Sequence, residues 1–415
     1  MKQNTNPATA GTVAGRGTIN DRLAGAIEPQ HSTPPTSRKL VWSPQQSEAL
    51  AAVQEWQRYG DSAFFYLAGY AGTGKTTLIQ EIARRTEGLT LFGALSAKAA
   101  AVMREKGCRD ATTIDSLIYR PLVDAWCTKK PPCEELCNGR CRHVRERFIG
   151  HTLNNQSDVV DADLVVIDEV SMVGEEMGED LLSFGTPVLV LGDIAQLPPI
   201  NSAGYFTRGK PDFQLTQVHR QALGSPVIEL ATRARNGRRL QRGIYGDSAV
   251  VEGIDIDDLL NHDQVIVGTH RTRHRLNKQM RRRLGFKGTT PERGEKVICL
   301  RNNHELGLRN GTLWTVVEST PLFDGFIRMK VEDGEGYSVD VISPEEGFTS
   351  FDGNGADLPE SPFAFGYVIT CHKSQGSQWG SVLVVDESRV FRQHRWKWLY
   401  TAITRAAERV TVVTP

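Results

Sequence analysis

The sequence predicts an α/β protein built from two doubly wound parallel sheets, with a small β-barrel set into the second. Three observations carry this. From Trp42 onward, short apolar runs alternate with helical patterns, as parallel strands joined by crossover helices require. The runs form two sets, 64–68, 90–95, 164–167 and 188–191, then 265–267, 366–370, 382–385 and 410–413. Between members of the second set, 294–343 reads as short alternating strands with turns at Asn310-Gly311 and Asp333-Gly334, the pattern of a small barrel. At about 150 residues per domain, 415 residues suit two or three domains.

Residues 1–40 are rich in Ala, Gly, Thr and Pro and lack periodic apolar positions, so they read as a disordered N-terminal arm. The arm has no apolar core of the kind a signal peptide needs. No run approaches the ~20 apolar residues of a membrane span, and no repeat of solenoid length occurs. Seven cysteines without a secretory signal imply a reducing compartment, the cytoplasm, and mostly free thiols. The 49 Lys+Arg balance 49 Asp+Glu, which by itself argues against a protein that coats nucleic acid electrostatically. The sum conceals segregation. Residues 271–301 hold 11 Lys+Arg against 2 Asp+Glu, and 324–360 hold 2 against 10. Electrostatic binding depends on local charge, so the exclusion fails. Leu276, Met280 and Leu284, four residues apart, predict a helix with an apolar stripe inside the basic run.

Each element of a nucleotide site can be justified in turn. Gly69-Tyr70-Ala71-Gly72-Thr73-Gly74-Lys75-Thr76 fits G-x-x-x-x-G-K-[ST] and lies between an apolar run and a helical pattern that opens at Thr77. Its glycines let backbone N–H groups close around phosphates at a helix N-terminus. Lys75 is placed to reach the β- and γ-phosphates, and the Thr76 hydroxyl to coordinate Mg²⁺. The run 164–167 ends in Asp168-Glu169, at the strand edge that faces the ligand crevice. Asp168 is the expected Mg²⁺ partner and Glu169 the group that orients or deprotonates the attacking water. Gln196 follows the next strand and is positioned to sense the γ-phosphate. Hydrolysis also needs positive charge on the transferring group, for which Arg220 and Arg405 are candidates, although an arginine is ordinarily a surface residue.

These residues fall into a known order. The chain, from about Trp42 to its end, resembles the superfamily 1B DNA helicases of the RecD/Dda type, the exodeoxyribonuclease V alpha-subunit-like group. Ser43-Pro44-Gln45-Gln46 is similar to that family's adenine-reading motif, with Gln46 in the reading position. The phosphate loop is similar to motif I, and Leu95-Ser96-Ala97-Lys98 to motif Ia. Asp168-Glu169 resembles motif II, Gly192-Asp193-Ile194-Ala195-Gln196 motif III, and Gln217-Val218-His219-Arg220 motif IV. Thr370-Cys371-His372-Lys373 through Gln378 resembles motif V, and Tyr400 through Ala406 motif VI. Ordered together, these eight motifs are far more specific than any one of them.

The resemblance implies two RecA-like domains of a P-loop NTPase with ATP between them. The first takes 41–118 and 158–205, and the second 206–290 and 359–415. A Cys-rich, wedge-like insertion takes 119–157, and a small β-barrel takes 291–358. ATP and Mg²⁺ are implied as cofactors, with Gly72, Thr73, Gly74, Thr77 and Gln378 at the nucleotide. Arg220 and Arg405 become arginine fingers. Lys98, Thr113, Ser116, His372 and Lys373 are expected at the DNA, although Asp115 stands where the family usually has His. The implied activity is ATP-dependent DNA helicase action, translocating 5′ to 3′ on single-stranded DNA and unwinding duplex in replication, recombination or repair. The alternative is a DNA-stimulated ATPase switch subunit without independent unwinding. Expected partners are single-stranded and forked DNA and replication or recombination proteins, for a monomer in a bacterial or phage-infected cytoplasm.

Cys127, Cys133, Cys137 and Cys141, with His143 as an alternative ligand, lie within seventeen residues of a polar segment. They could supply a tetrahedral Zn²⁺ site whose metal drives folding. Their spacings are not the common C-x₂-C pairs, so free thiols are the competing reading and an iron–sulfur cluster a third.

Overall fold

The computed structural model describes residues 41–127, 144–198, 204–218, 224–303, 306–334, 336–349 and 362–415. The arm 1–40, Arg220, Cys133, Cys137, Cys141 and His143 lie outside these residues, as does the side chain of Cys127.

The first sheet is wholly parallel. Its order is Thr112–Thr113, Thr90–Ala94, Leu164–Asp168, Val188–Gly192, Phe64–Gly69, Phe213–Leu215. The three central strands are almost continuously buried, as strands covered on both faces must be. Phe213–Leu215 pairs with the strand that feeds the phosphate loop, so this sheet extends past residue 205, where the sequence pattern ends it. Three residues at a sheet edge are too few to write a recognisable apolar run.

The second sheet runs Val368–Thr370, Gln264–Val267, Trp379–Val385, Ala406–Val413, Ser248–Val251, Gly243–Tyr245, parallel except for its last pair. Its edge strand Val368–Thr370 is covered by Asn277, whose amide donates to the Val368 carbonyl at 2.9 Å and accepts from the Val368 N–H at 3.1 Å. That pairing blunts an edge otherwise open to another chain. Asn277 belongs to the basic helix His270–Arg283, which buries Leu276 and Met280 as its spacing predicts. Leu284 departs from the expected stripe: it sits beyond the last turn and is 45% exposed.

Ser338–Pro344, Phe326–Glu332, Leu313–Pro321, Lys296–Cys299 and Phe363–Phe365 form an antiparallel sheet in that order. Its core holds Trp314, Ile327, Met329 and Phe363. Where a barrel was expected, the ladder among the described residues has two edges. From the Phe363–Phe365 edge, which carries this element beyond residue 358, the chain passes directly into Val368–Thr370 of the second parallel sheet. In the first half, Tyr119–Cys127 and Val144–Leu153 form a two-stranded antiparallel hairpin with a bulge between Leu122 and Val123.

A buried ion pair ties the basic helix to the small sheet. Arg281 donates to both oxygens of Glu295 at 2.6 and 2.7 Å, and Glu295 is fully buried. Arg281 also donates to the Gly288 and Thr290 carbonyls and lies 4.0 Å over the Phe365 ring. Removing one member strands a charge in the interior, which costs about 3–5 kcal/mol. Glu295→Ala is therefore expected to lower unfolding free energy by that order in urea melts, far more than Asp257→Ala, which breaks only the exposed pair with Arg283.

Candidate nucleotide site and nucleic-acid cleft

The helix Pro44–Tyr59 is capped by its own sequence. Ser43 accepts from the Gln46 N–H, the Gln46 amide oxygen accepts from the Ser43 N–H, and Pro44 occupies the first turn. This fixes the Gln46 side chain, whose amide nitrogen donates to the Thr73 carbonyl at 3.3 Å. Gln46 thus supports the phosphate loop from behind. The loop turns at Gly72 and Gly74, with φ of 80° and 79°, a region closed to most side chains. It delivers Lys75 to the start of the helix Lys75–Arg85, where its ammonium donates to the Gly69 and Tyr70 carbonyls.

A cavity of about 500 Å³ opens over this loop between the two parallel-sheet halves. Gly72, Gly74, Lys75, Thr76, Thr77, Asp168, Glu169 and Gln196 line it from the first half, and Gln378 and Arg405 from the second. Asp168 ends its strand with its carboxyl held above the usual range by burial and by neighbouring Glu169. Glu169 adopts φ of 59°, a left-handed conformation uncommon outside glycine that stores strain at the strand end. Gln196, with its amide oriented as its neighbours require, donates to Glu169 Oε2 at 3.2 Å and accepts from Arg405 at 3.3 Å. Arg405 is 5% exposed and donates to the Thr401 and Ser377 carbonyls at 3.2 Å. Its nearest oxygen on Glu169 is 3.9 Å away.

Two residues with no role in the sequence reading join the halves here. The Tyr400 hydroxyl donates to the Asp193 carboxylate and accepts from the Ala71 N–H of the phosphate loop at 2.8 Å. Burial raises the Asp193 carboxyl, and burial together with Asp193 raises the Tyr400 phenol well above its ordinary value. The signal was present as an aromatic opening the run that ends in Arg405 and an acid following Gly192. Nearby, Leu197 donates its N–H to Thr401 and accepts from the Gln375 amide, and Arg235 lies 3.8 Å over the Tyr70 ring.

A second cleft, about 730 Å³, adjoins the first. Thr113, Asp115, His270, Arg309, Asn310, His372 and Lys373 line it. Lys373 donates to Asn310 at 2.9 Å. Of the other expected DNA residues, Thr113 and His372 line the same cleft, whereas Lys98 and Ser116 do not. Lys98 packs 4.0 Å over the Trp379 ring across the halves, and burial, with Lys296 and Arg405 nearby, lowers its ammonium to about 8. The Thr113 hydroxyl accepts from the Ser116 N–H as a helix cap and is paired with the Ser116 hydroxyl at 2.8 Å. His372 is half-buried against Phe391, and burial, with His270 beside it, lowers its imidazole to about 4. It therefore enters neutral chemistry as a hydrogen-bonding group rather than a cation.

Among the described residues, no cluster of three or more His, Cys, Asp or Glu side chains is arranged to hold a metal, and no helix is long and apolar enough to cross a membrane. The cysteine set proposed for zinc lies outside those residues. Cys108, Cys299 and Cys371 are buried free thiols.

A family model described as an AAA domain matches residues 42–255, and one described as a UvrD-like helicase C-terminal domain matches 365–413. The chain belongs to the superfamily 1B helicases of the RecD type. The ATP-dependent RecD2 DNA helicase of Deinococcus radiodurans is 28% identical over 389 residues, covering 83% of this chain and 46% of that protein. The RecBCD enzyme subunit RecD of Mycolicibacterium smegmatis is 25% identical over 412 residues, covering 84% and 67%. The chain thus spans about half the length of the first relative. Among solved structures, Bacteroides Pif1 bound to single-stranded DNA aligns at 17% identity over 90% of this chain and 92% of that one, with a TM-score of 0.49.

Two outcomes follow from this geometry. Tyr400→Phe keeps the ring and removes the hydroxyl shared by Asp193 and Ala71, so unfolding free energy is expected to fall by about 1–3 kcal/mol in urea melts. For His372, the folded group binds its proton only near pH 4, whereas the unfolded one does so near 6.5. Stability should therefore fall as pH drops from about 6.5 to about 4. His372→Gln should flatten that part of a melting-temperature profile.

Proposed function

We propose that this chain is an ATP-driven DNA helicase that translocates 5′ to 3′ on single-stranded DNA and separates duplex ahead of it. The observation that carries the reading is the Glu169–Gln196–Arg405 bridge, which spans the two parallel-sheet halves directly over the phosphate loop. Water attacks the γ-phosphorus, the bond to the departing ADP breaks, and the proton passes to Glu169. Lys75 and Arg405 balance charge on the transferring group, while Gln196 keeps the water and the guanidinium in register. Thr76 and Asp168 offer the hard oxygen ligands Mg²⁺ prefers. The ion would neutralise the β- and γ-phosphate oxygens, and its charge would offset the burial that raises Asp168. Arg220 is the proposed second finger, Gln46 and Gln378 the nucleotide contacts, and Thr73 a loop member held by Gln46.

Because Arg405 belongs to one half and Glu169 to the other, nucleotide turnover would open and close the halves, and a strand lying in the adjacent cleft would be moved between them. Lys373 is the proposed phosphate contact there, with His372 as a neutral donor. The wedge is assigned to the 119–157 insertion.

Single-stranded DNA should stimulate ATP hydrolysis, and Lys75→Ala should lower the stimulated rate by at least about 100-fold. Retention of that rate would remove the phosphate-loop assignment. A 5′-tailed duplex should be separated faster than a 3′-tailed one. Brisk DNA-stimulated hydrolysis with no separation of either would instead identify a switch subunit.

A further inference from the structure

The basic run lines a cavity that the ATP-dependent reading leaves unused. About 480 Å³ in volume, it lies between the helix His270–Arg283 and the small antiparallel sheet. Phe286, Phe348 and Phe365 contribute an aromatic lining, and Arg275, Lys278, Arg282 and Lys287 reach it as exposed cations. The same helix distinguishes two kinds of arginine. Arg281 and Arg283 are paired with Glu295 and Asp257. Among the described residues, no carboxylate pairs with Arg275, Lys278, Arg282 or Lys287, and no acid lines the cavity. A concave site of one sign concentrates its field on a polyanion, which a convex solvated face does not do.

The cavity and the cleft that holds Lys373 are lined by residues one turn apart on the same helix. His270 lines that cleft, and His274 lines the cavity. Their rings stack with centroids 6.5 Å apart. Lys278 and Arg282 follow at four-residue spacing, so His270, His274, Lys278 and Arg282 form one track along a single helix face. From His270 to Arg282 the track rises about 18 Å, the length of about five stacked nucleotides.

We propose that this cavity is a second nucleic-acid subsite, which holds the sugar–phosphate backbone of the single strand where it continues out of the cleft. Arg275, Lys278 and Arg282 take its phosphates, and the partly exposed Phe286 offers a face to a base. This rests on the reading of the chain as a DNA motor.

The test uses the full chain, fluorescent oligo-dT from about 6 to about 20 nucleotides, and anisotropy titrations at several salt concentrations. The triple variant Arg275→Gln, Lys278→Gln, Arg282→Gln should stop gaining affinity about five nucleotides earlier than the wild type. Its log–log salt slope on the longest strand should be shallower by about 2, at about 0.7 for each of three lost phosphates. ATP hydrolysis stimulated by the shortest effective oligonucleotide should be unchanged. If the triple variant does not fold, Lys278→Gln alone should reduce the slope by about 0.7. Identical length dependence and salt slope, with DNA-stimulated hydrolysis intact, would overturn the subsite alone. No binding or stimulation of the wild type at any length would overturn the motor reading with it.

Discussion

The two halves meet around a buried charge that cannot be discharged. A guanidinium keeps its proton at any physiological pH, and placing one in an interior without partners costs several kcal/mol. Arg405 is tolerated because the Thr401 and Ser377 carbonyls hold it from its own half while Glu169 and Gln196 face it from the other. Compensation is thus divided across the cleft, so the electrostatics of each half depend on the position of the other. The Tyr400 hydroxyl repeats this logic beside it. It satisfies a buried carboxylate and a phosphate-loop N–H of the opposite half at once. A displacement of the second half is therefore felt at the backbone that would wrap the phosphates.

What surrounds these polar ties is modest in apolar content. Ala195 and Leu197 of the first half join the second half's core, with Tyr70 and Ala71 packed partly against it. Further cross-cleft contacts among the described residues include Leu197 with Thr401 and Gln375, Arg235 over Tyr70, and Lys98 over Trp379. Polar contacts of this kind exchange for water at small net cost, whereas a broad apolar seam resists opening. The composition of the junction suits halves that part and rejoin more than halves locked together.

The parts of this arrangement written in local sequence were legible. The phosphate loop follows from glycines at two positive-φ positions, and the strands beneath it from apolar runs buried on both faces. Side-chain destinations set by tertiary neighbours were not. Lys98 carries the composition of a phosphate contact, but Trp379 lies 281 positions away and supplies an aromatic face within reach. Thr113 and Ser116 have free hydroxyls on paper, yet the Thr113 hydroxyl caps a helix and the Ser116 hydroxyl pairs with it. Leu284 continues a four-residue spacing, but the helix stops before it. Phe213–Leu215 completes the first sheet through backbone pairing, to which a three-residue stretch gives no periodic signature.

Charge shows the same division more sharply. On the helix His270–Arg283, Arg281 and Arg282 are adjacent and chemically identical, yet one is locked to Glu295 in the interior and the other faces solvent beside a cavity. Ionic strength separates them physically. Exposed charges are screened over a Debye length of about 8 Å at physiological salt, whereas a desolvated pair is screened far less. Raising salt would weaken whatever anion the exposed set holds and leave the scaffold of Arg281 standing. A net charge of zero conceals this twice, by cancelling the basic run against the acidic one and by counting a structural arginine and a ligand-facing arginine as the same quantity. Only the positions of the acids distinguish them. On this helix those positions set aside the partners of Glu295 and Asp257 and leave Arg275, Lys278 and Arg282 for the proposed phosphate contacts.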